Sequence, residues 1–100
     1  MVKTYQVVWD KIAVEDLKDI LSYLKKSSEQ APLLVKEAIK KHIQIISTNA
    51  FVFEKDKLKT PIDKAYRAFT IYSYRITYKI VGDKILILRI RHTSREPFGY

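Results

Sequence analysis

The last twelve residues of the chain, RIRHTSREPFGY, contain the side chains best suited to chemistry on an anion. Arginine binds phosphates and carboxylates through paired N–H donors, and histidine exchanges a proton near neutral pH. A solvated basic tail and a surface that meets an anionic partner are both open interpretations. The residues concerned are Arg89, Arg91, His92, Arg95 and Tyr100.

The charge of the whole chain points to an anionic partner. The formal net charge is +8, from 19 lysines and arginines against 11 aspartates and glutamates in 100 residues. Such an excess attracts nucleic acids, acidic proteins and membrane surfaces through long-range steering. Charge alone does not choose among these partners.

Composition excludes several kinds of site. The chain has no cysteine, so it can hold no disulfide, thiol nucleophile or thiolate zinc site. His42 and His92 are far apart in sequence, and no glycine-rich phosphate loop is present. We therefore expect no metal and no cofactor, and we expect His42 to have no chemical role.

Length and hydropathy predict one domain over residues 1–100. No stretch approaches the roughly 20 apolar residues of a membrane span, and the N-terminus is too short and polar for a signal peptide. We expect a soluble, cytoplasmic protein.

Hydrophobic periodicity predicts the elements that position these side chains. The order is β-α-α-β-β-β, an α+β fold in which an N-terminal strand and a helical hairpin pack on a small, mainly antiparallel sheet. Gly82 and Asp83 form the last turn, and residues 49–65 form a basic loop. The predicted elements are a strand over 4–9, a helix capped by Asp10, a helix with Pro32 in its first turn that ends near Thr48, and strands over 66–71, 74–81 and 84–92.

The last hairpin decides which basic side chains meet. If its turn consists of Gly82 and Asp83, Val81 faces Lys84. When the pairing continues residue by residue along both strands, Arg75 lies opposite Ile90. His92 then lies diagonal to Arg75 on the same face. A shift of one residue would break this juxtaposition. The pairing predicts a cationic shelf on the face left open by the helices, at the end of the hairpin that holds Arg75, Arg89, Arg91, His92 and Arg95.

On these residues the chain resembles the RelE/ParE superfamily of bacterial toxins. The likeness is carried by VVWDKIAVEDLKDILSYLKK as first strand and helix, by YSYRITYKIVGDKILILRIRH as hairpin, and by the short basic ending. Together these stretches cover roughly half of the sequence, in the family's order and at its spacing.

The resemblance implies the fold given above and one of two activities. RelE-like members cut mRNA in the ribosomal A site, using basic side chains and often an aromatic side chain near the C-terminus. ParE-like members are not known as nucleases and poison DNA gyrase. Both kinds are neutralised by an antitoxin that wraps the toxin.

The resemblance also implies roles for particular residues. Arg75 matches a phosphate-binding arginine, and His92 lies where several nucleases, but also some ParE-like sequences, have a histidine. Tyr100 falls near a terminal tyrosine that could stack on a base or donate a proton. We accordingly expect His92, Arg75 and Tyr100 to be catalytic. The expected RNA- or phosphate-binding residues are Arg89, Arg91, Arg95, Arg67, Lys57 and Lys59.

The leading hypothesis is a toxin of a type II toxin–antitoxin (plasmid stabilisation) system that cleaves mRNA on the ribosome as a metal-independent endoribonuclease. The stretch DLKDILSYL looks more like ParE, which favours the alternative of a gyrase inhibitor without nuclease activity. A second alternative is a non-toxic nucleic-acid-binding module, whose affinity would fall steeply with salt. The expected partners are a cognate antitoxin and either the ribosome with its mRNA or DNA gyrase.

Overall fold

The computed structural model describes residues 4–50 and 66–95. Within them, a short strand, two helices and three further strands follow one another, and a 3-10 turn closes the described part. This is the α+β order that the sequence predicts. The elements are β1 (Gln6–Trp9), α1 (Lys11–Lys25), α2 (Ala31–Thr48), β2 (Tyr66–Ile71), β3 (Tyr74–Val81), β4 (Lys84–His92) and the 3-10 turn Thr93–Arg95.

The strands form one sheet in the order β1-β4-β3-β2. β4 is parallel to β1 and antiparallel to β3, and β2 is antiparallel to β3. The sheet is therefore mainly antiparallel, with β4 in a central position. The apolar run of β4 explains that position, since a central strand is covered on both faces for much of its length.

Local signals set the bounds of the helical hairpin. The Asp10 side chain caps α1 by accepting the N–H of Ile12 at 2.9 Å. The Ser28 hydroxyl accepts the N–H groups of Gln30 and Ala31, both at 3.2 Å, where the chain turns into α2. Proline in the first turn of α2 costs the helix no hydrogen bond, because the N–H of any other residue at this position would have no partner inside the helix.

The helices cover one face of the sheet and form the core with it. The core of the sheet consists of buried side chains from β3 and β4, with Ile80 partly buried beside them: Ile76, Tyr78, Ile85, Ile87 and Ile90. The Tyr78 hydroxyl donates to the carbonyl oxygen of Ala50 at 2.8 Å, which ties the end of α2 to β3. The aromatic residues Trp9, Tyr74 and Tyr78 belong to this core or its edge, as the sequence indicates.

The predicted hairpin register is correct near the turn and wrong beyond it. Val81 pairs with Lys84 and Tyr78 with Ile87, but a β-bulge between Thr77 and Tyr78 shifts the pairing by one residue. An extra residue in one strand of an antiparallel pair leaves two residues opposite one. From the bulge onward Thr77 pairs with Arg89, Ile76 with Ile90, Arg75 with Arg91 and Tyr74 with His92.

Candidate functional site

The basic end of β4 lies next to α1. Asp16 of α1 accepts the Arg89 Nε–H at 2.9 Å and the Nη2–H at 3.4 Å. The same carboxylate accepts the backbone N–H of Ile90 at 3.0 Å. Asp16 thus fixes both a side chain and a backbone group of β4, and it compensates the charge of Arg89.

His92 lies on the helix-covered face, packed against Tyr74. The two rings meet edge to face with their centroids 5.5 Å apart. The His92 Nδ1 atom accepts the backbone N–H of Ser94 at 3.1 Å and lies 2.7 Å from the Ser94 hydroxyl. Because a backbone N–H can only donate, Nδ1 carries no proton in this arrangement and the neutral ring has its proton on Nε2.

Arg75 does not share a face with His92, contrary to the predicted pairing. Its register partner is Arg91, and its neighbour Tyr74 pairs with His92. Successive side chains of a strand point to opposite faces, so Arg75 and His92 lie on different sides of the sheet. The physical reason is the one-residue shift at the bulge, which the turn chemistry does not encode.

The predicted cationic shelf is therefore only partly formed. Arg75 and Arg91 face each other on the second face of the sheet, while Arg89 is turned to Asp16. Thr77 on that second face is only 2% exposed, so the face is not bare at its centre. Among the described side chains, Arg89 and Arg91 line one cleft together with His92, whereas Arg75 does not.

The other predicted binding residues are separated from this end of β4 or fall outside the described residues. Arg67 pairs with Tyr78, on the helix-covered face near the opposite end of β3. The backbone of Arg95 closes the 3-10 turn. Lys57, Lys59 and Tyr100 lie outside the described residues.

Two clefts meet at Tyr74 and His92. The α1–β4 cleft, of about 580 Å³, lies between α1 and the end of β4. A smaller one, of about 280 Å³, lies between the helical hairpin and the β2–β3 turn, and both are lined by Tyr74 and His92. The α1–β4 cleft is lined by Asp19, Ile20, Tyr23, Tyr74, Arg91 and His92, among others.

Exposed apolar side chains surround these clefts, and sequence reasoning did not single them out. Tyr23 is 70% exposed, Leu34 59% and Tyr72 64%; we call these three residues the apolar patch. Tyr72 also has a φ of 54°, in the left-handed region that bulky residues rarely adopt. Helical spacing places Tyr23 and Leu34 on helices, but only the folded chain brings Leu34 to the same cleft as Tyr72 and Tyr23 to the adjoining one.

Burial affects the phenol of Tyr74. Desolvation raises the pKa of Tyr74, and the neighbouring Tyr23 raises it further. The Tyr74 hydroxyl therefore remains protonated at neutral pH. This hydroxyl can donate a hydrogen bond and carries no charge.

Comparison with protein families identifies the chain. Residues 7–97 match the family of the ParE toxin of the type II toxin–antitoxin system ParDE. The chain belongs to the ParE toxin family. It is thus the toxin of a type II toxin–antitoxin system, as the resemblance to RelE/ParE toxins implied. No curated protein matches the toxin significantly.

Solved structures share the toxin's fold. The chromosomal ParDE system of P. aeruginosa is similar with a TM-score of 0.68 and 19% identity, over 90% of this chain and 97% of that one. The RelBE2 toxin–antitoxin complex of Mycobacterium tuberculosis is similar with a TM-score of 0.63 and 19% identity, over 92% of this chain and 93% of that one. The RelB–RelE antitoxin–toxin complex of Methanococcus jannaschii is similar with a TM-score of 0.53 and 23% identity, over 87% of this chain and 91% of that one. At these identities the similarity shows a shared fold.

One further finding concerns membranes. Among residues 4–50 and 66–95, no helix has the length and hydropathy that a membrane crossing requires.

Proposed function

We propose that the toxin inhibits DNA gyrase by binding it, as the resemblance implies for ParE-like members, and does not cut mRNA. The observation that carries this proposal is the separation of His92 from Arg75 by the sheet. Cleavage of RNA beside a 2′-hydroxyl needs a base, a cation on the phosphate and an acid around one bond. The register argues against a shared site for His92 and Arg75, the base and the cation that the resemblance implies.

The hydrogen bonds of His92 also favour an inhibitor. A general base needs a free nitrogen lone pair, and the Nδ1 lone pair of His92 receives the Ser94 N–H at 3.1 Å. The other nitrogen carries the ring proton. In this arrangement His92 presents a hydrogen-bond donor, and not a free lone pair, to a ligand.

The charge of Arg89 is already paired with a carboxylate. Its guanidinium pairs with Asp16 at 2.9 Å, so a phosphate at this position would compete with a carboxylate that is already in place. A phosphate would also approach the negative charge of Asp16. The arrangement stabilises the fold at this end of β4 better than it would hold an RNA backbone.

The apolar patch suits a protein target. Exposed aromatic and aliphatic side chains around a cleft are typical of protein-binding surfaces, where a few anchors carry most of the affinity. The left-handed backbone at Tyr72 is a strained conformation, and strain of this kind concentrates at binding sites. The patch therefore supplies the contact surface in this proposal.

The test compares the two targets with purified components. The toxin is added to gyrase with supercoiled DNA, and separately to translating ribosomes with a defined mRNA. We expect trapped gyrase–DNA cleavage complexes and intact mRNA. Cleaved mRNA with unaffected gyrase would refute the proposal in favour of a RelE-like nuclease, and an effect on neither would favour a non-toxic binding module.

A matched pair of variants tests the contact surface. Leu34→Ser removes an anchor of the apolar patch, whereas Ile45→Ser changes another exposed aliphatic residue of α2 that lines neither cleft. We expect Leu34→Ser to weaken gyrase inhibition about tenfold, equivalent to about 1.4 kcal/mol, and Ile45→Ser to leave it unchanged. Equal effects of both variants would remove the patch from the proposal.

A further inference from the structure

We infer that the toxin also binds duplex DNA, through two rows of lysines on the solvent side of the helical hairpin. The inference deepens the proposed action on gyrase and rests on it for its setting, because an inhibitor that traps gyrase on DNA lies close to that DNA. The binding itself needs no gyrase and can be measured without it. The residues are Lys11, Lys18 and Lys25 of α1 and Lys36 and Lys40 of α2, which we call the lysine groove.

The lysines of α1 lie in a row along one flank of the helix. Lys11, Lys18 and Lys25 recur every seven residues, close to two helical turns, and all three are exposed. Asp16 marks the opposite flank, where it accepts the Arg89 Nε–H of β4 at 2.9 Å. The row therefore lies away from the α1–β4 cleft, on the side of α1 that is turned toward α2.

The lysines of α2 lie on the flank that faces α1. On the other flank His42 stacks on Phe69 of the outer strand β2, with the ring centroids 5.3 Å apart. At 100° per residue, Lys36 and Lys40 are about 120–160° round the helix axis from His42. Since β2 forms one edge of the sheet and α1 packs on β4, this flank of α2 is turned toward α1, and both lysines are exposed.

The two rows border the furrow between the antiparallel helices and leave it positively charged. Within residues 4–50 and 66–95, no carboxylate forms an ion pair with any of the five lysines. Helical spacing places Glu15 and Glu37 on the crests of α1 and α2, the sides that point straight away from the sheet. The acids thus lie outside the furrow, and the lysine charges inside it are available to an anion.

Lysine rows suit a nucleic acid better than an acidic protein. Lysine is depleted at protein–protein interfaces, where aromatic and apolar anchors carry the affinity. The lysine groove has no such anchor, and Tyr23 and Tyr72 lie in the apolar patch instead. Lysine is a compact point charge that neutralises phosphates without reading bases. We therefore expect binding that is independent of sequence.

The length of the lysine groove fits a short stretch of duplex. From Lys11 to Lys25 the rise of α1 is about 21 Å, which corresponds to about six base pairs of DNA. Lys25 and Lys36 lie at the end of the hairpin that carries Tyr23 and Leu34 of the apolar patch. Contact of the patch with gyrase and of the groove with DNA can therefore be made at the same time.

The first measurement is fluorescence anisotropy of a labelled 20-base-pair duplex of arbitrary sequence, titrated with the toxin from about 50 to 200 mM KCl. Three to five phosphate contacts predict a slope of log K against log salt of about −2.7 to −4.5. Absence of binding at 50 mM would overturn the inference. Competition by polyglutamate as strong as that by unlabelled duplex, at equal charge concentration, would also overturn it, in favour of an acidic protein.

A matched pair of double variants supplies the second measurement. Lys18→Gln with Lys40→Gln removes one charge from each row, whereas Lys41→Gln with Lys84→Gln removes two exposed charges elsewhere. Both pairs lower the net charge of +8 equally, and glutamine keeps the helix propensity of lysine.

The lysine-groove pair should lose at least about tenfold in DNA affinity at 0.1 M salt and about 1.8 of the slope, since each phosphate contact accounts for about 0.9. The control pair should keep its affinity within about threefold and its slope within about 0.5. Equal losses in the two pairs would show diffuse attraction by net charge and would overturn the inference.

The two proposals fail separately. If gyrase is trapped on DNA but the two variant pairs bind duplex alike, the lysine groove is wrong and the gyrase proposal is untouched. If gyrase is unaffected but only the lysine-groove pair loses DNA affinity, the groove stands and the proposed target is wrong.

Discussion

Replacement of Asp16 tests whether one carboxylate holds the end of β4. Asp16→Ala removes the acceptor for Arg89 Nε, at 2.9 Å, and for the Ile90 N–H, at 3.0 Å. The Arg89 guanidinium and the Ile90 amide then lose their protein partner together. We expect a marked loss of stability from a residue that the sequence presents as an ordinary polar position of an amphipathic helix.

The magnitude follows from the bonds and their exposure. A hydrogen bond to a charged group contributes about 1.5–3 kcal/mol. Asp16 and Arg89 are 18% and 25% exposed, so water screens the pair and replaces part of what is lost. We therefore take the lower part of the range, about 2 kcal/mol for Asp16→Ala, which corresponds to a fall in Tm of about 10 °C for a domain of this size.

Thermal and urea unfolding followed by circular dichroism measure this loss. Asp16→Asn keeps an oxygen that can accept the Ile90 N–H and should lose about half as much stability. Asp19→Ala, one turn away and exposed, is the matched control and should stay within about 0.5 kcal/mol of the wild type. An Asp16→Ala protein as stable as the Asp19→Ala control would refute the reasoning.

Three further predictions concern tyrosines. Tyr78→Phe leaves the Ala50 carbonyl without its 2.8 Å donor and should lower the unfolding free energy by about 1–3 kcal/mol in urea titrations; an unchanged midpoint would contradict the bond. Burial raises the pKa of the Tyr78 phenol from 10.0 to about 12, against the opposing effect of Arg67. Because the folded state holds this proton more tightly than the unfolded chain, stabilisation present below pH 10 should be lost between pH 10 and about 12. Unfolding free energies measured across that window should fall less in Tyr78→Phe than in the wild type, and parallel pH profiles would contradict the assignment. Tyr72→Gly relieves the left-handed backbone and should raise stability by about 1 kcal/mol while it weakens gyrase inhibition; a less stable variant would show that the position is not strained.

The elements could be predicted from the sequence because their signals are local. Strand propensity and alternation set β2, β3 and β4 over the same residues as observed, and proline and serine set the start of α2. The length of β1 is shorter than predicted, beginning at Gln6 rather than Thr4. The end of a strand depends on its partner strand, and β1 can pair with β4 only from Lys84, the first residue of β4, onward.

The site could not be predicted to the same extent because it depends on the bulge. Nothing at Thr77 or Leu88 in the sequence marks an extra residue, and a register shift of one exchanges the neighbours of every side chain beyond it. The contact between Asp16 and Arg89 spans most of the chain, so spacing cannot reveal it. The apolar patch combines residues from three parts of the chain for the same reason.

The most direct test of the proposed mechanism is induced expression of the wild type and of His92→Ala in cells, with DNA replication and protein synthesis followed in parallel. We predict that replication stops first, with DNA damage, and that His92→Ala remains toxic. If protein synthesis stops first and His92→Ala is harmless, His92 is catalytic and the toxin is a RelE-like nuclease.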